Sequence, residues 1–218
     1  MTTLKVLILE DEPLTCHALK MALDDFSKSK EGYHFQVEIC NTYHQGLEKI
    51  DRGFTYDLAI LDVNLGRDHP ETGEDFAMIL RSSSTDTKIV FLTSISERFR
   101  YYSIFKKINP EGFIIKSELD FFEIKNAVQK VLNGETYFSK SISEFLKNER
   151  EAAESLDETD RTLLFLLSKG ATTKDLVEKL FLSTSGIEWR KRKLAKILGL
   201  ATTHTPQLLE KARYANLL

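Results

Sequence analysis

YDLAILDVNLG, residues 56–66, carries four consecutive apolar residues, Leu58 to Leu61, and then Asp62. A strand that is apolar on both faces belongs in the interior of a parallel sheet. Asn64, Leu65 and Gly66 break the pattern into a loop. Asp62 therefore stands at the carboxyl end of a buried strand, where open α/β sheets place their ligand sites. Taken alone, Asp62 is an ordinary loop-capping carboxylate. Its significance depends on what other segments bring beside it.

Working outward, the same pattern recurs. Lys5 to Leu9 (KVLIL) is a second apolar run, and it leads into Glu10, Asp11 and Glu12. Pro13 suits the first turn of a helix, along which Leu14, Ala18, Met21 and Ala22 recur at helical spacing. Phe35 to Cys40 alternates as a strand, and Leu47 and Ile50 mark a short helix. Gly73 to Leu80 reads as a helix. Ile89 to Leu92 reads as a strand ending at Thr93, followed by a helix with Phe99, Tyr102, Ile104 and Phe105. Gly112 to Ile115 is a strand ending at Lys116. Leu119 to Leu132 is a helix closed by Asn133-Gly134. Five β–α units predict a five-stranded, doubly wound parallel sheet of flavodoxin-like order 2-1-3-4-5.

That order gathers Glu10, Asp11, Asp62, Thr93 and Lys116 at one rim. Three carboxylates brought together repel, and a divalent cation relieves the repulsion. Hard oxygen ligands with no His or Cys nearby suit Mg²⁺ better than zinc. A carboxylate beside Mg²⁺ can attack phosphorus and form an aspartyl phosphate. The Thr93 hydroxyl and the Lys116 ammonium would then each bind a phosphoryl oxygen. Each residue has a plainer role in isolation: a solvated acidic turn, a capping threonine, a surface lysine. The set at matching strand ends argues for the shared site.

The remainder is helical. Glu135 to Ser155 is polar and reads as a linker, partly helical through Ile142, Phe145 and Leu146. From Leu156 onward, Asp157 suits an N-cap and Gly170 ends the first helix. Thr173 is placed as cap of a short helix, Lys174 to Leu180. After the turn Phe181-Leu182-Ser183, Thr184 or Ser183 caps Ser185 to Leu198. Pro206 begins a last helix. Two short helices joined by a brief turn form a helix-turn-helix pattern. In Ser185 to Leu198, the residues Ile187, Leu194 and Leu198 make the core face. Ser185, Glu188, Trp189, Arg192 and Lys196 lie opposite, flanked by Arg190, Lys191 and Lys193. An outward Trp with a basic rim suits base and phosphate contacts on DNA.

Composition agrees with two domains. The chain has 218 residues, 42% of them hydrophobic, and a net charge of −3, which argues against disorder. From Asp157 onward eleven Lys/Arg face seven Asp/Glu, so the acidic balance lies in the first part. No apolar run approaches the roughly 20 residues that span a bilayer. The start, MTTLKVLILED, is too short in its apolar part to read as a signal peptide and runs straight into acids. Two distant cysteines, Cys16 and Cys40, suit reduced thiols in a cytoplasmic protein.

The first part resembles the receiver domain of bacterial two-component response regulators, through Glu10-Asp11 with Pro13, DVNLG at Asp62, FLTS at Thr93 and GFIIKS at Lys116. The resemblance implies Asp62 as phosphoacceptor. It implies Mg²⁺ held by Glu10, Asp11, Asp62 and the backbone carbonyl of Asn64, a Thr93 that moves toward the phosphoryl group, and Phe113 as the switching aromatic. Gly66 replaces the family's common proline, and Gly66 to Thr72 is longer than usual. The last part resembles the DNA-binding domain of NarL/FixJ (LuxR-type) regulators. Glu188, Trp189 and Arg192 stand at positions that usually face bases, while Gly186 and Arg190 replace the family's common Thr and His. Together these imply a receiver over 1–134, a linker over 135–155 and a LuxR-type helix-turn-helix domain over 156–218. The implied protein is not an enzyme beyond its own phosphorylation and dephosphorylation. Its expected partners are a sensor histidine kinase, double-stranded DNA and a second copy of itself. Two alternatives are an aspartyl-nucleophile phosphohydrolase, disfavoured because Asn64 is not the second acid such enzymes need, and a regulator acting only through protein contacts.

Overall fold

The computed structural model describes residues 2–28, 32–66, 71–83, 86–94, 98–215 and 217–218, with only the backbone for Arg98, Phe99, Tyr102, Glu149, Ala152 and Ala153. It divides into two compact units, Met1–Ser143 and Glu144–Leu218.

In the first unit, strands β1 (Thr2–Leu9), β2 (Tyr33–Cys40), β3 (Leu58–Asp62), β4 (Lys88–Thr93), β5 (Gly112–Ile115) and β6 (Tyr137–Phe138) form one parallel sheet of order β2-β1-β3-β4-β5-β6. The expected order is correct but the strand count is six. Tyr137 and Phe138 lie within the stretch read as linker and add to the edge of β5. Two residues are too short to show an alternation, and their polar flanks hide them. Helices α1 (Pro13–Lys28), α2 (Tyr43–Asp51), α3 (Gly73–Ser83), α4 (Arg98–Ile108) and α5 (Phe121–Leu132) connect the strands. A sixth helix, α6 (Lys140–Glu154), follows β6.

The strands alternate between two cores. Val6, Ile8, Leu58, Ile60, Val90, Leu92 and Ile114 pack with α1 and α5. Phe91 and Phe113 point the other way, and Phe113 meets Phe91, Tyr101 and Phe105 edge to face at 5.7, 5.4 and 5.4 Å. Every residue of β3 is buried, as its uniform apolar run requires. Helix α1 differs from expectation. Its buried stripe is Cys16, Leu19, Ala22, Leu23 and Phe26, while Leu14 and Met21 are 76% and 53% exposed. Two apolar sets both fit a period of 3.6, and only packing selects between them.

The second unit contains the last part of α6 and four further helices, α7 (Glu158–Ser168), α8 (Thr173–Leu180), α9 (Thr184–Ile197) and α10 (Thr205–Tyr214). Leu163, Leu164, Leu176, Ile187, Leu194, Leu208 and Ala212 form their core. Asp157 caps α7 reciprocally with Asp160. The cap of α8 is Thr172, paired with Asp175 in a capping box, and Thr173 is the first helical residue. Ser183 caps α9, its side chain accepting from the Gly186 N–H. Caps of this kind contribute about 1 kcal/mol each.

The turn between α8 and α9 is strained at one residue. Phe181 ends α8 with φ 54° and ψ 41°, a left-handed conformation that glycine adopts at little cost, and its ring is 93% exposed. A non-glycine residue pays roughly 1–2 kcal/mol there. Phe181→Gly is therefore expected to stabilise this unit by up to about 1 kcal/mol after the entropy gained by the unfolded chain. Thermal unfolding checks this, and a lowered midpoint would contradict it.

Candidate functional site

Parallel register sets the site. β1 pairs Leu9 with Leu61 of β3, β3 pairs Asp62 with Leu92 of β4, and β4 pairs Thr93 with Ile115 of β5. The residues just past these positions, Glu10, Asp11, Asp62, Thr93 and Lys116, therefore share one rim of the sheet. Asp62 is held there by its neighbours. The Asn64 N–H donates to Asp62 Oδ1 at 3.1 Å, and Gly66 turns the loop with φ 79°. Helix α3 starts directly against this loop. The Gly73 N–H donates to the Val63 carbonyl, and a β-carbon on Gly73 would lie 1.9 Å from the Asp62 carbonyl oxygen. Only glycine lets α3 pack so closely against the end of β3.

Glu10 and Asp62 are buried at 1% and 5% exposure, and Asp11 is exposed. One oxygen from each of the three lies within 4.8 Å of the others. Lys116 Nζ lies 2.9 Å from Asp62 Oδ2 and 2.8 Å from both carboxylate oxygens of Glu10. Its third acidic neighbour, Glu12, is 3.8 Å away. Burial raises the Glu10 carboxyl to about 7, against the opposing pull of the Lys116 hydrogen bond. Burial also raises Asp62, again opposed by Lys116. The Lys116 ammonium is raised by its bonds to Glu10 and Asp62 despite its own burial. Thr93 is fully buried at the end of β4.

The donor set fits Mg²⁺. Glu10 Oε2 is buried and accepts no well-directed hydrogen bond. Oxygens on opposite sides of a Mg²⁺ ion are about 4.2 Å apart, and the three carboxylates here offer oxygens within 4.8 Å of one another. Three carboxylates here share one ammonium, and a hard cation would offset the remaining negative charge.

Arg100 of α4 also reaches this loop. Its Nε and Nη2 donate to Glu74 Oε1 at 3.1 and 3.0 Å, and its Nη1 donates to the Asn64 side-chain oxygen at 3.0 Å. Nothing in the sequence around Arg100 signals this, because its partners are 26 and 36 residues away.

In α9 the exposed stripe is Ser185, Trp189, Arg192 and Lys196, with Glu188 half-buried and Ile187 and Leu194 in the core. The flanking cations are occupied within their own unit. Arg190 Nη1 lies 2.9 Å from both Asp157 oxygens and 2.6 Å from Asp160 Oδ1. Lys193 Nζ lies 2.5 Å from Asp160 Oδ2. Lys191 is buried and bonded to Glu188 at 3.1 Å. The Arg190 contact is the main cause holding Asp157 down at about 2. These pairs fix how α9 is turned about its axis, which leaves Trp189, Arg192 and Lys196 outward.

Residues 6–129 match the family described as the response regulator receiver domain. The transcriptional regulatory protein MctR of Rhizobium johnstonii is 27% identical over 205 residues, covering 92% of this chain and 89% of that protein. The oxygen regulatory protein NreC of Staphylococcus aureus is 25% identical over 227 residues, 99% of each. Among solved structures, the RcsB response regulator of Salmonella typhimurium superposes with a TM-score of 0.72 at 17% identity, covering 98% of this chain and 99% of that one. RcsB bound to the promoter rprA with the phosphomimetic BeF3⁻ gives 0.59 at 18% identity, covering 95% and 97%. At these identities the structural likeness is one of fold. Among the described residues, no helix is long and apolar enough to cross a membrane.

Proposed function

The chain belongs to the response regulator receiver family, and on that premise we propose that it is a two-component response regulator whose phosphorylation at Asp62 controls DNA binding by its C-terminal helices. The observation that carries this reading is the meeting of Glu10, Asp11 and Asp62 within 4.8 Å, with Lys116 Nζ 2.9 Å from Asp62. An Asp62 oxygen attacks the phosphorus of a phosphohistidine on a sensor kinase. The new P–O bond forms as the P–N bond breaks, and the imidazole leaves and takes up a proton. Glu10, Asp11, Asp62 and the Asn64 carbonyl would hold Mg²⁺, and the ion would supply positive charge against the phosphoryl oxygens. Lys116 binds one phosphoryl oxygen, and the Thr93 hydroxyl serves another.

Residues 1–134, with β6 added at the edge of their sheet, act as the receiver, the rest of 135–155 as the connection and 156–218 as the DNA reader. In the reader, α8 and α9 form the helix-turn-helix. Arg192, Trp189 and Glu188 face bases, and Lys196 faces phosphate. A two-fold DNA site requires a homodimer, as the RcsB dimers bound to DNA illustrate for that protein. The absence of a second acid at Asn64 disfavours phosphohydrolase activity.

The test is labelling by a small phosphodonor with and without EDTA. Labelling that requires Mg²⁺ is expected, and labelling unaffected by EDTA would overturn the metal's role. A pH dependence follows from Glu10. Its folded value of about 7 lies above the ordinary 4.5. Glu10 therefore favours folding fully below about 4.5, and that contribution is lost as pH rises through about 7. Mg²⁺ must displace the same proton, so its affinity should fall by up to about tenfold per pH unit below 7. Mg²⁺ titration at several pH values checks this, and a pH-independent affinity would contradict it.

A further inference from the structure

Arg100 connects α4 to the loop that carries Asp62. The link from Asp62 is short: Oδ1 accepts from the Asn64 N–H at 3.1 Å, and the Asn64 side-chain oxygen accepts from Arg100 Nη1 at 3.0 Å. The rest of the guanidinium is held by Glu74 in the first turn of α3, the helix pressed against the Asp62 carbonyl through Gly73. Arg100 is only 24% exposed and Glu74 16%. Of the two partners, Asn64 is neutral and Glu74 is charged, so the bond to Asn64 is the weaker one.

We propose that Arg100 is the positioning residue that passes the charge placed on Asp62 to α4. This rests on Asp62 being the phosphoacceptor. Phosphorylation turns the singly charged Asp62 carboxylate into an acyl phosphate of roughly −2, linked to the guanidinium through Asn64. A phosphoryl oxygen is a stronger acceptor for Nη1 than the Asn64 amide, and arginine can serve it while keeping the Glu74 contact through Nε and Nη2. The Nη1 donor turns from Asn64 to the phosphoryl group and draws the first turn of α4 toward the end of β3. Lysine at this position would keep the charge and lose the fork.

The experiment uses the full chain with beryllofluoride and Mg²⁺. Fluorine NMR reports occupancy of Asp62, and amide hydrogen exchange reports α4. In the wild type, occupancy is expected to change exchange over Arg98–Ile108. In Arg100→Ala at equal occupancy that change should be lost, and in Arg100→Lys it should be partial. Coupling is reciprocal, so Arg100→Ala should also weaken beryllofluoride binding, by at least about fivefold. Glu74→Gln, which frees the guanidinium without removing it, should tighten binding. If Arg100→Ala binds beryllofluoride and protects α4 as the wild type does, the proposal is overturned. If Arg100→Ala does not fold, a Glu74→Gln variant that binds no tighter than the wild type overturns it. Absence of the fluorine signal in the wild type would instead sink the phosphoacceptor reading, and this proposal with it.

Discussion

Replacing Asp62 by asparagine is expected to abolish phosphoryl incorporation from a small donor. The amide nitrogen and oxygen are poor nucleophiles. Glu10 is buried beneath the Lys116 ammonium, which touches both of its oxygens at 2.8 Å. Asp11 lies on the exposed side of the cluster. The variant should still fold, because asparagine has nearly the same shape and removes one of two buried carboxylates that share a lysine. Loss of one buried charge should also lower the Glu10 carboxyl from about 7, since repulsion from Asp62 is among its causes. Intact-mass measurement after incubation with the donor reads the result. Undiminished incorporation in Asp62→Asn would remove Asp62 from the reaction.

Arg192→Ala is expected to cost about 1–3 kcal/mol on a selected DNA site and much less on random DNA. Arg192 is exposed on the outward stripe of α9 with Trp189 and Lys196. Lys196→Ala should weaken binding to all sequences alike and reduce the log–log salt slope by about one. Arg190 and Lys193 should behave differently from both. Their charges are engaged by Asp157 and the fully buried Asp160. Removing either leaves Asp160 short of a partner and should lower the stability of the unit, with the salt slope on DNA unchanged. A selection from random oligonucleotides supplies the site, and binding isotherms at several salt concentrations supply the slopes. Equal proportional losses for Arg192→Ala and Lys193→Ala, on specific and random DNA, would refute this division of the helix. No effect from any of them would leave the helical unit as a protein-interaction module.

Much of this was legible in the sequence, for definite reasons. Leu58 to Leu61 is apolar without alternation, so β3 could only be central. Strand ends fixed Glu10, Asp62, Thr93 and Lys116 because parallel register aligns carboxyl ends. What was not legible depends on packing between distant segments. Leu14 and Met21 fit helical spacing yet face outward, because Cys16, Leu19, Leu23 and Phe26 fit as well and win the core. Periodicity placed Arg190 and Lys193 beside the outward stripe of α9 but could not reveal Asp157 and Asp160 opposite them. β6 is two residues in a polar segment. Arg100 shows its role only through Glu74 and Asn64. Residues 67–70 of the lengthened loop lie outside the described residues.

A charge at Asp62 is expected to change how the second unit meets DNA. The most direct test is the equilibrium affinity of the full chain for a selected two-fold site, with and without beryllofluoride and Mg²⁺. Wild type should bind more tightly when Asp62 is occupied, and Asp62→Asn should not respond. Unchanged wild-type affinity, with occupancy of Asp62 verified in the same samples, would contradict the account.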